Sequence, residues 1–469
     1  DREEARRRRV RVARGPAGQE RDGVLRFLSL ELVFSDPHTA EALSDEKLLA
    51  AMARFEAALA RASTGLVPVE HAETIARACE SASFDVARLA NEARHAGTLA
   101  IPFVKELTAQ VPGEAARYVH FGATSQDVID TAVVVCLKEA AHRVLESARR
   151  LGDAAARLAD RHRDTPTVAR TLLQPATPVP FGWKAAVWLS LVANSYGQFR
   201  AAAEEVCVLQ FGGPAGTLAA FGSDGELVST RLAEQLGLRK PPIPWHSARD
   251  RFARLGAEAA ILAGAAGKIA RDVSLLMQHE VGEAFEPASA GRGGSSALPH
   301  KRNPAACVLA LEASQRAPAL AASLMANLVP EHERGLGQWQ AQWLTLRSLV
   351  CATASGVAAM AEALERLEVR TDTMAANLER TQGLVFSEAV SVRLAHTLGK
   401  SAAHTLTEKL CARAVAEKKH LREVLLAEDD VTKIIPAGEL EALFEAKRAF
   451  GSAKPMIDRV LAIWRETAP

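Results

Sequence analysis

The sequence predicts an all-α protein organised around a bundle of long helices. Its dominant residues, Ala, Leu, Arg and Glu, lose little on entering a helix, and its aromatic content is only 5%. Apolar residues also recur at steps of three, four and seven over long stretches, the spacing of helix faces packed side by side. With 469 residues, 48% hydrophobic and 24% charged, the chain can bury a large core in two or three domains. Its net charge of +1 leaves no global field to draw in nucleic acid or a membrane, so recognition must rest on local groups in a compact site.

Residues 1–28 hold Arg6 to Arg9 and Arg11, but no apolar run of the kind a targeting peptide needs. They are read as a mobile extension or a start-site artefact. An N-terminal helical domain is expected over 29–126. Within it Leu48, Leu49, Met52, Phe55 and Leu59 form one stripe of a helix from Asp45 to Ala62. A polar, Gly- and Pro-containing loop follows over 111–126, with Ser125 as the expected N-cap of a long helix from Asp127 to about Asp160.

That helix opens a central bundle expected over 127–370. A proline-rich turn region, 165–182, separates it from a second helix over 183–210. Leu255, Leu262, Ile269, Val273, Leu276 and Glu280 mark a third helix over 251–283. The loop from 283 to 303 is unusually long for a compact domain and is therefore expected to be functional or mobile. Asn303 then serves as N-cap with Pro304 in the first turn of the next helix, and Trp339, Trp343, Leu346 and Val350 share a face of the one after. Shorter helices, interrupted near Pro436, Gly451 and Pro455, form a C-terminal domain over 371–469.

The six cysteines lie far apart, with no C-x-x-C and no Cys/His cluster at ligand spacing. They read as core thiols of a reducing cytoplasm, and no metal site is expected. No stretch of about 20 uncharged apolar residues is present, so the protein is not expected to span a membrane.

Three polar segments interrupt the helical pattern: His120-Phe-Gly-Ala-Thr-Ser-Gln-Asp127, Arg170-Thr-Leu-Leu-Gln174, and Gly293-Gly-Ser-Ser-Ala-Leu-Pro-His-Lys-Arg-Asn303. Singly they are a capped helix start, a turn and a surface loop. In combination and order they resemble the three signature regions of the fumarase/aspartase superfamily, from about residue 29 to the C-terminus. Leu298 stands where the family's third region usually has methionine, a volume-conserving departure. The resemblance implies a three-domain, all-α fold, a homotetramer, and active sites each assembled from three subunits. It also implies no metal or organic cofactor.

Superfamily members make or break a bond beside a carboxylate through a carbanion, so the site must hold a multiply charged anion. Lys301 offers a point charge and Asn303 an amide donor. Thr124 and Ser125 add hydroxyls beside the free N–H groups of a helix N-terminus. His120 and Gln174 complete the hydrogen bonding, and Arg292 is a further carboxylate partner. By resemblance Ser295 carries the proton, with Ser296 as its neighbour and alternative. A serine in that role must be activated by cations and backbone donors within a closed loop.

Fumarases and adenylosuccinate lyases usually place a histidine at the position of Leu172, paired with a glutamate at the position of Val308. Both are apolar here, as expected if the pair was lost together, since either left alone would be a buried unpaired group. An amine or hydroxide needs a proton to leave. A carboxylate leaving from a lactone, with a pKa near ~4, does not. Together with Gly291-Arg-Gly-Gly-Ser-Ser296 and Gly337-Gln-Trp-Gln-Ala-Gln-Trp343, this looks like the bacterial 3-carboxy-cis,cis-muconate cycloisomerases. The implied substrate is a small tricarboxylate, lactonised to 4-carboxymuconolactone in aromatic catabolism. Two alternatives stay open: an adenylosuccinate-type lyase, and a catalytically inactive helical structural protein.

Overall fold

The computed structural model describes residues 30–288, 293–294, 298 and 300–468. The expected extension over 1–28 lies outside the described residues.

The first long helix, α1 (Asp45–Ala62), has the bounds its apolar stripe predicts. The Ser44 hydroxyl accepts from Lys47 N at 3.2 Å, while Asp45 and Glu46 face the positive end of the helix dipole. Leu49, Met52, Phe55 and Leu59 are buried, and so is one carboxylate on the same face, Glu56.

Helix α2 (Ser125–Arg161) has 37 residues, a length of about 55 Å at 1.5 Å per residue. Its N-cap is Thr124 rather than Ser125. Thr124 is extended at φ −130° and ψ 162°, whereas Ser125 is already helical. Beyond α2 the chain forms an antiparallel hairpin, β1 (Pro166–Thr171) and β2 (Gln174–Pro180), in place of the expected proline-rich turn. With only two strands each has a free edge, which is where proline fits.

Helices α3 (Phe181–Val206), α4 (Asp250–Leu276), α5 (Ala305–Ala326) and α6 (Gln338–Glu365) pack with α2 into the bundle. The fold is all-α, as the sequence predicts, apart from this hairpin and a short pairing of β3 (Ala284–Phe285) with β4 (Glu368–Val369). Leu255, Leu262, Ile269 and Val273 of α4 are fully buried. That helix ends at Leu276, with Met277 as its C-cap, short of the expected Glu283, and Gly282 at φ 60° turns the chain further on. The start of α5 also shifts by one residue. Pro304 occupies the N-cap position, and Glu286 in the preceding loop accepts from Ala306 N at 3.0 Å and Cys307 N at 2.8 Å. A carboxylate there satisfies two orphan donors and meets the helix dipole.

Helix α6 is long and apolar enough by itself to cross a membrane, but 72% of its most apolar window is buried within the fold. Trp339, Leu346 and Val350 point into the core as their spacing predicts. All six cysteines are free thiols. Burial, which disfavours the thiolate, pushes Cys136 up to about 11 and Cys79 up to about 12.

Short helices beyond residue 370 enclose a second core that includes Val390, Leu410, Leu421 and Ile435. The last helix, α7 (Ala453–Thr467), returns to the bundle. Trp464 lies so close to Gly152 of α2 that a β-carbon there would sit 2.2 Å from the ring, and its Nε1 donates to Asp153 at 2.9 Å. Trp464→Ala should therefore open a cavity and remove the hydrogen bond to Asp153. A loss of about 3–5 kcal/mol is expected, read as a lower denaturant midpoint; an unchanged midpoint would show that α7 is not anchored there.

Candidate active site

The sequence-predicted site residues fall at opposite ends of the bundle. At one end, Asp127 in the first turn of α2 is fully buried. Its Oδ1 accepts from Gly212 N at 3.0 Å and lies 2.7 Å from His246 Nε2. Its Oδ2 accepts from Gly213 N at 2.8 Å and Thr124 N at 3.1 Å. Four partners compensate the desolvation of one carboxylate and fix the 212–213 turn against the helix start. Gly213 is needed there: its φ is 71°, and a β-carbon would lie 2.9 Å from Gly122 O.

One turn along, Asp130 is equally buried. It takes two hydrogen bonds from Arg249, at 2.6 and 3.0 Å, and others from Gln126 Nε2 and Trp339 Nε1, each at 3.0 Å. Arg249 also donates to Gln342 Oε1 and lies over the Trp245 and Phe252 rings. This ion pair joins the starts of α2, α4 and α6 and closes that end of the bundle. The 327–337 loop adds Arg334, whose Nη1 donates to Thr124 Oγ at 3.1 Å.

His120 and Thr124 and Ser125 of the first signature segment therefore converge beside the N-terminus of a 37-residue helix, whose orphan amides and dipole suit an anion. His120 has a left-handed backbone, φ 61°, and its Nδ1 lies 2.6 Å from Glu56 Oε1. Burial alone would lower the pKa of its imidazole, but the adjoining Glu56 carboxylate, by charge and hydrogen bond, and more weakly Asp127 outweigh it and raise the value.

The second and third segments meet at the other end. Arg170 on β1 forms a bidentate pair with fully buried Glu283, at 2.7 and 3.0 Å, and Thr167 and Asn377 donate to the same carboxylate. Leu172 and Leu173 form the two-residue turn of the hairpin at φ 50° and 65°. A tight hairpin of right-handed twist requires positive φ at both positions, normally supplied by Asn and Gly. Both leucines project into solvent, 96% and 74% exposed. Gln174 begins β2 and is exposed.

Asn303 N donates to Gly293 O at 2.8 Å, and Asn303 Nδ2 to Gly294 O at 3.2 Å, so this side chain helps close the loop. Lys301 is exposed and forms no ion pair with a described residue. Ser295, Ser296 and Arg292 lie outside the described residues. Leu172 and Val308, the apolar counterparts of a proton-transfer pair, are 96% and 52% exposed in the single chain. The burial penalty invoked for losing that pair jointly therefore does not operate within one chain.

Helix α2, about 55 Å long, stands between the two groups, so His120, Thr124 and Ser125 cannot share a substrate with the hairpin in one chain. Glu56, Asp127, His246 and Arg334 were not among the residues expected to form the site. Two of them had a visible signal: Asp127 closes the first signature segment, and Glu56 follows Met52 and precedes Leu59 at helical spacing, a charge on a core-facing stripe. His246 and Arg334 are brought in by tertiary contacts.

Comparison with known proteins adds a third line. A family described as Lyase matches residues 33–318, and one described as Adenylosuccinate lyase C-terminus matches residues 383–460. The chain is 50% identical to a 3-carboxy-cis,cis-muconate cycloisomerase of Bradyrhizobium diazoefficiens, over 90% of this chain and 94% of that protein. It is 43% identical to the enzyme of the same name from Pseudomonas aeruginosa, over 95% and 96% of the two. The crystal structure of a 3-carboxy-cis,cis-muconate lactonizing enzyme from Pseudomonas putida superimposes with a TM-score of 0.88 at 41% identity, covering 94% of this chain and 99% of the other.

The hairpin geometry has a direct test. Replacing Leu172 and Leu173 by Asn and Gly matches the side chains to the left-handed turn and should stabilise the fold by about 1–2 kcal/mol, read as a higher denaturant midpoint. A lower midpoint would mean that the leucine side chains make contacts that outweigh the backbone strain.

Proposed function

The chain belongs to the fumarase/aspartase-type lyases, and from that premise we infer that it is a cycloisomerase lactonising 3-carboxy-cis,cis-muconate to 4-carboxymuconolactone. The observation that carries this reading is the 50% identity with a cycloisomerase of that name over nearly the full length of both chains. The Adenylosuccinate lyase C-terminus match covers only residues 383–460, away from the three signature segments, and does not distinguish the reactions.

In the reaction one substrate carboxylate oxygen adds to the diene within the same molecule and forms the lactone C–O bond. The displaced electron pair moves to the carbon α to a second carboxylate, and one proton is delivered there. No atom leaves. In the reverse direction the departing group is a carboxylate, stable as an anion, so no general-acid pair is required. Apolar Leu172 and Val308 suit that chemistry whether or not they are buried.

The assignments made from sequence fit these needs. Thr124, Ser125 and His120 receive carboxylate oxygens at the α2 N-terminus. Lys301, Asn303 and Gln174 serve the same purpose from the other end, Arg292 is a further carboxylate partner, and Ser295 or Ser296 delivers the proton. Because α2 holds these sets about 55 Å apart, a working site requires copies of the chain packed so that opposite ends meet. A homotetramer with shared sites, typical of the superfamily, supplies that arrangement.

Loss of ultraviolet absorbance on adding 3-carboxymuconate tests the activity; no turnover by the purified, assembled protein would sink it, and fumarate release from adenylosuccinate would favour the lyase alternative. Ser295→Ala should lower kcat by about 10²–10⁴-fold with the native mass unchanged. Site sharing is tested by unfolding and refolding together two inactive variants, Thr124→Val and Lys301→Met. The mixture should regain activity that neither variant has alone, whereas a mixture as inactive as its components would mean that each chain completes its own site.

A further inference from the structure

We propose that Glu56 is a positioning residue of this reaction, its buried carboxylate clamping His120 Nδ1 so that Nε2 is presented as an N–H donor to a substrate carboxylate. The proposal rests on the reading of His120 as a substrate-binding residue and adds to it the group that holds it ready.

Three observations converge. Glu56 is 1% exposed on the apolar face of α1, between Met52 and Leu59. A carboxylate in that position costs free energy that a leucine would not. Its Oε1 lies 2.6 Å from His120 Nδ1, while Oε2 is buried and accepts from no described residue. Second, His120 is held at φ 61°. A left-handed backbone costs a β-carbon-bearing residue about 1–2 kcal/mol and persists where surrounding contacts over-determine it. Third, the side chain is 18% exposed and Nε2 bonds to no described residue, so the ring is gripped at one nitrogen and open at the other.

The proton inventory follows. An ionised carboxylate only accepts, so Nδ1 carries a hydrogen. Whether Nε2 carries one too depends on ring charge, and the surrounding groups decide it. Glu56 approaches from α1 and Asp127 from the first turn of α2, with Asp127 already bonded to His246 and to the amides of Gly212 and Gly213. The nearby cation, Arg334 of the 327–337 loop, is bound to Thr124 and Pro214 O. The two carboxylates prevail over burial and raise the His120 pKa. A raised value carries the imidazolium to higher pH than an ordinary histidine keeps it, and it is lost as pH climbs through the elevated value. Within that window both nitrogens donate, and His120 meets an anionic substrate as a fixed cation.

The test is the pH dependence of kcat and KM for 3-carboxymuconate, with assembly checked by native mass. Glu56→Gln should shift the alkaline limb of kcat/KM to lower pH by about one unit or more. Near neutrality it should raise KM about tenfold with a smaller change in kcat. Glu56→Asp, which keeps the charge at a longer reach, should place the limb between the two. His120→Asn should lower kcat/KM and abolish the limb, and adding Glu56→Gln to it should change little further. A uniform loss of kcat in Glu56→Gln with the limb unmoved would make Glu56 merely structural and overturn the proposal. If Glu56→Gln fails to assemble, an unmoved limb in assembled Glu56→Asp overturns it equally. Normal kcat/KM in His120→Asn would instead remove His120 from the substrate site, a separate failure.

Discussion

The length of α2 is the constraint on which everything else depends. A straight helix of 37 residues holds its two ends about 55 Å apart, with the first signature segment at its start and the hairpin of the second beyond its end. No loop movement of ordinary size closes such a gap. The bundle is therefore a spacer that keeps its two polar ends apart within one chain. The same rigidity gives each end precision, because its side chains stand on helix termini packed into a continuous core.

Each end of the spacer is finished with buried carboxylates, and each is almost fully satisfied. Asp127 and Asp130 tie the starts of α2, α4 and α6 to the 212–213 turn, while Glu283 ties the hairpin to the segment after β4 through Arg170, Thr167 and Asn377. Glu286 does the same for the start of α5. Such groups contribute little net stability compared with apolar packing, but breaking one partnership leaves a buried charge uncompensated. They restrict the ends to one geometry. Glu56 differs: one oxygen pairs with His120, while the other is buried and accepts from no described residue.

Backbone strain reaches the signature segments too. His120 in the first and Leu172 and Leu173 in the second adopt positive φ without being glycine, as do Leu218, His332, Gln382 and Lys418 elsewhere. Strain of this kind is retained where the surrounding structure or a function requires it. At His120 the requirement is visible in the Glu56 contact. At the hairpin both leucines project into solvent.

Much of this was legible in the residues themselves. The stripe from Leu49 to Leu59 delimits α1, since periodic burial leaves its imprint directly on sequence, and the start of α2 was misplaced only by the choice between two adjacent hydroxyl residues as cap. The three signature segments were found because glycine, proline and polar residues interrupt that period. The hairpin was not, because leucine carries no turn signal and its positive φ is imposed by strand pairing. Nor does any local pattern pair Glu56 with His120, or Arg170 with Glu283, 64 and 113 positions apart. Sequence by itself determined the helices, their breaks and the chemistry of the side chains at each break. Only the tertiary structure decided which breaks share an end of the bundle, because that depends on how far a rigid helix carries the chain before it turns back.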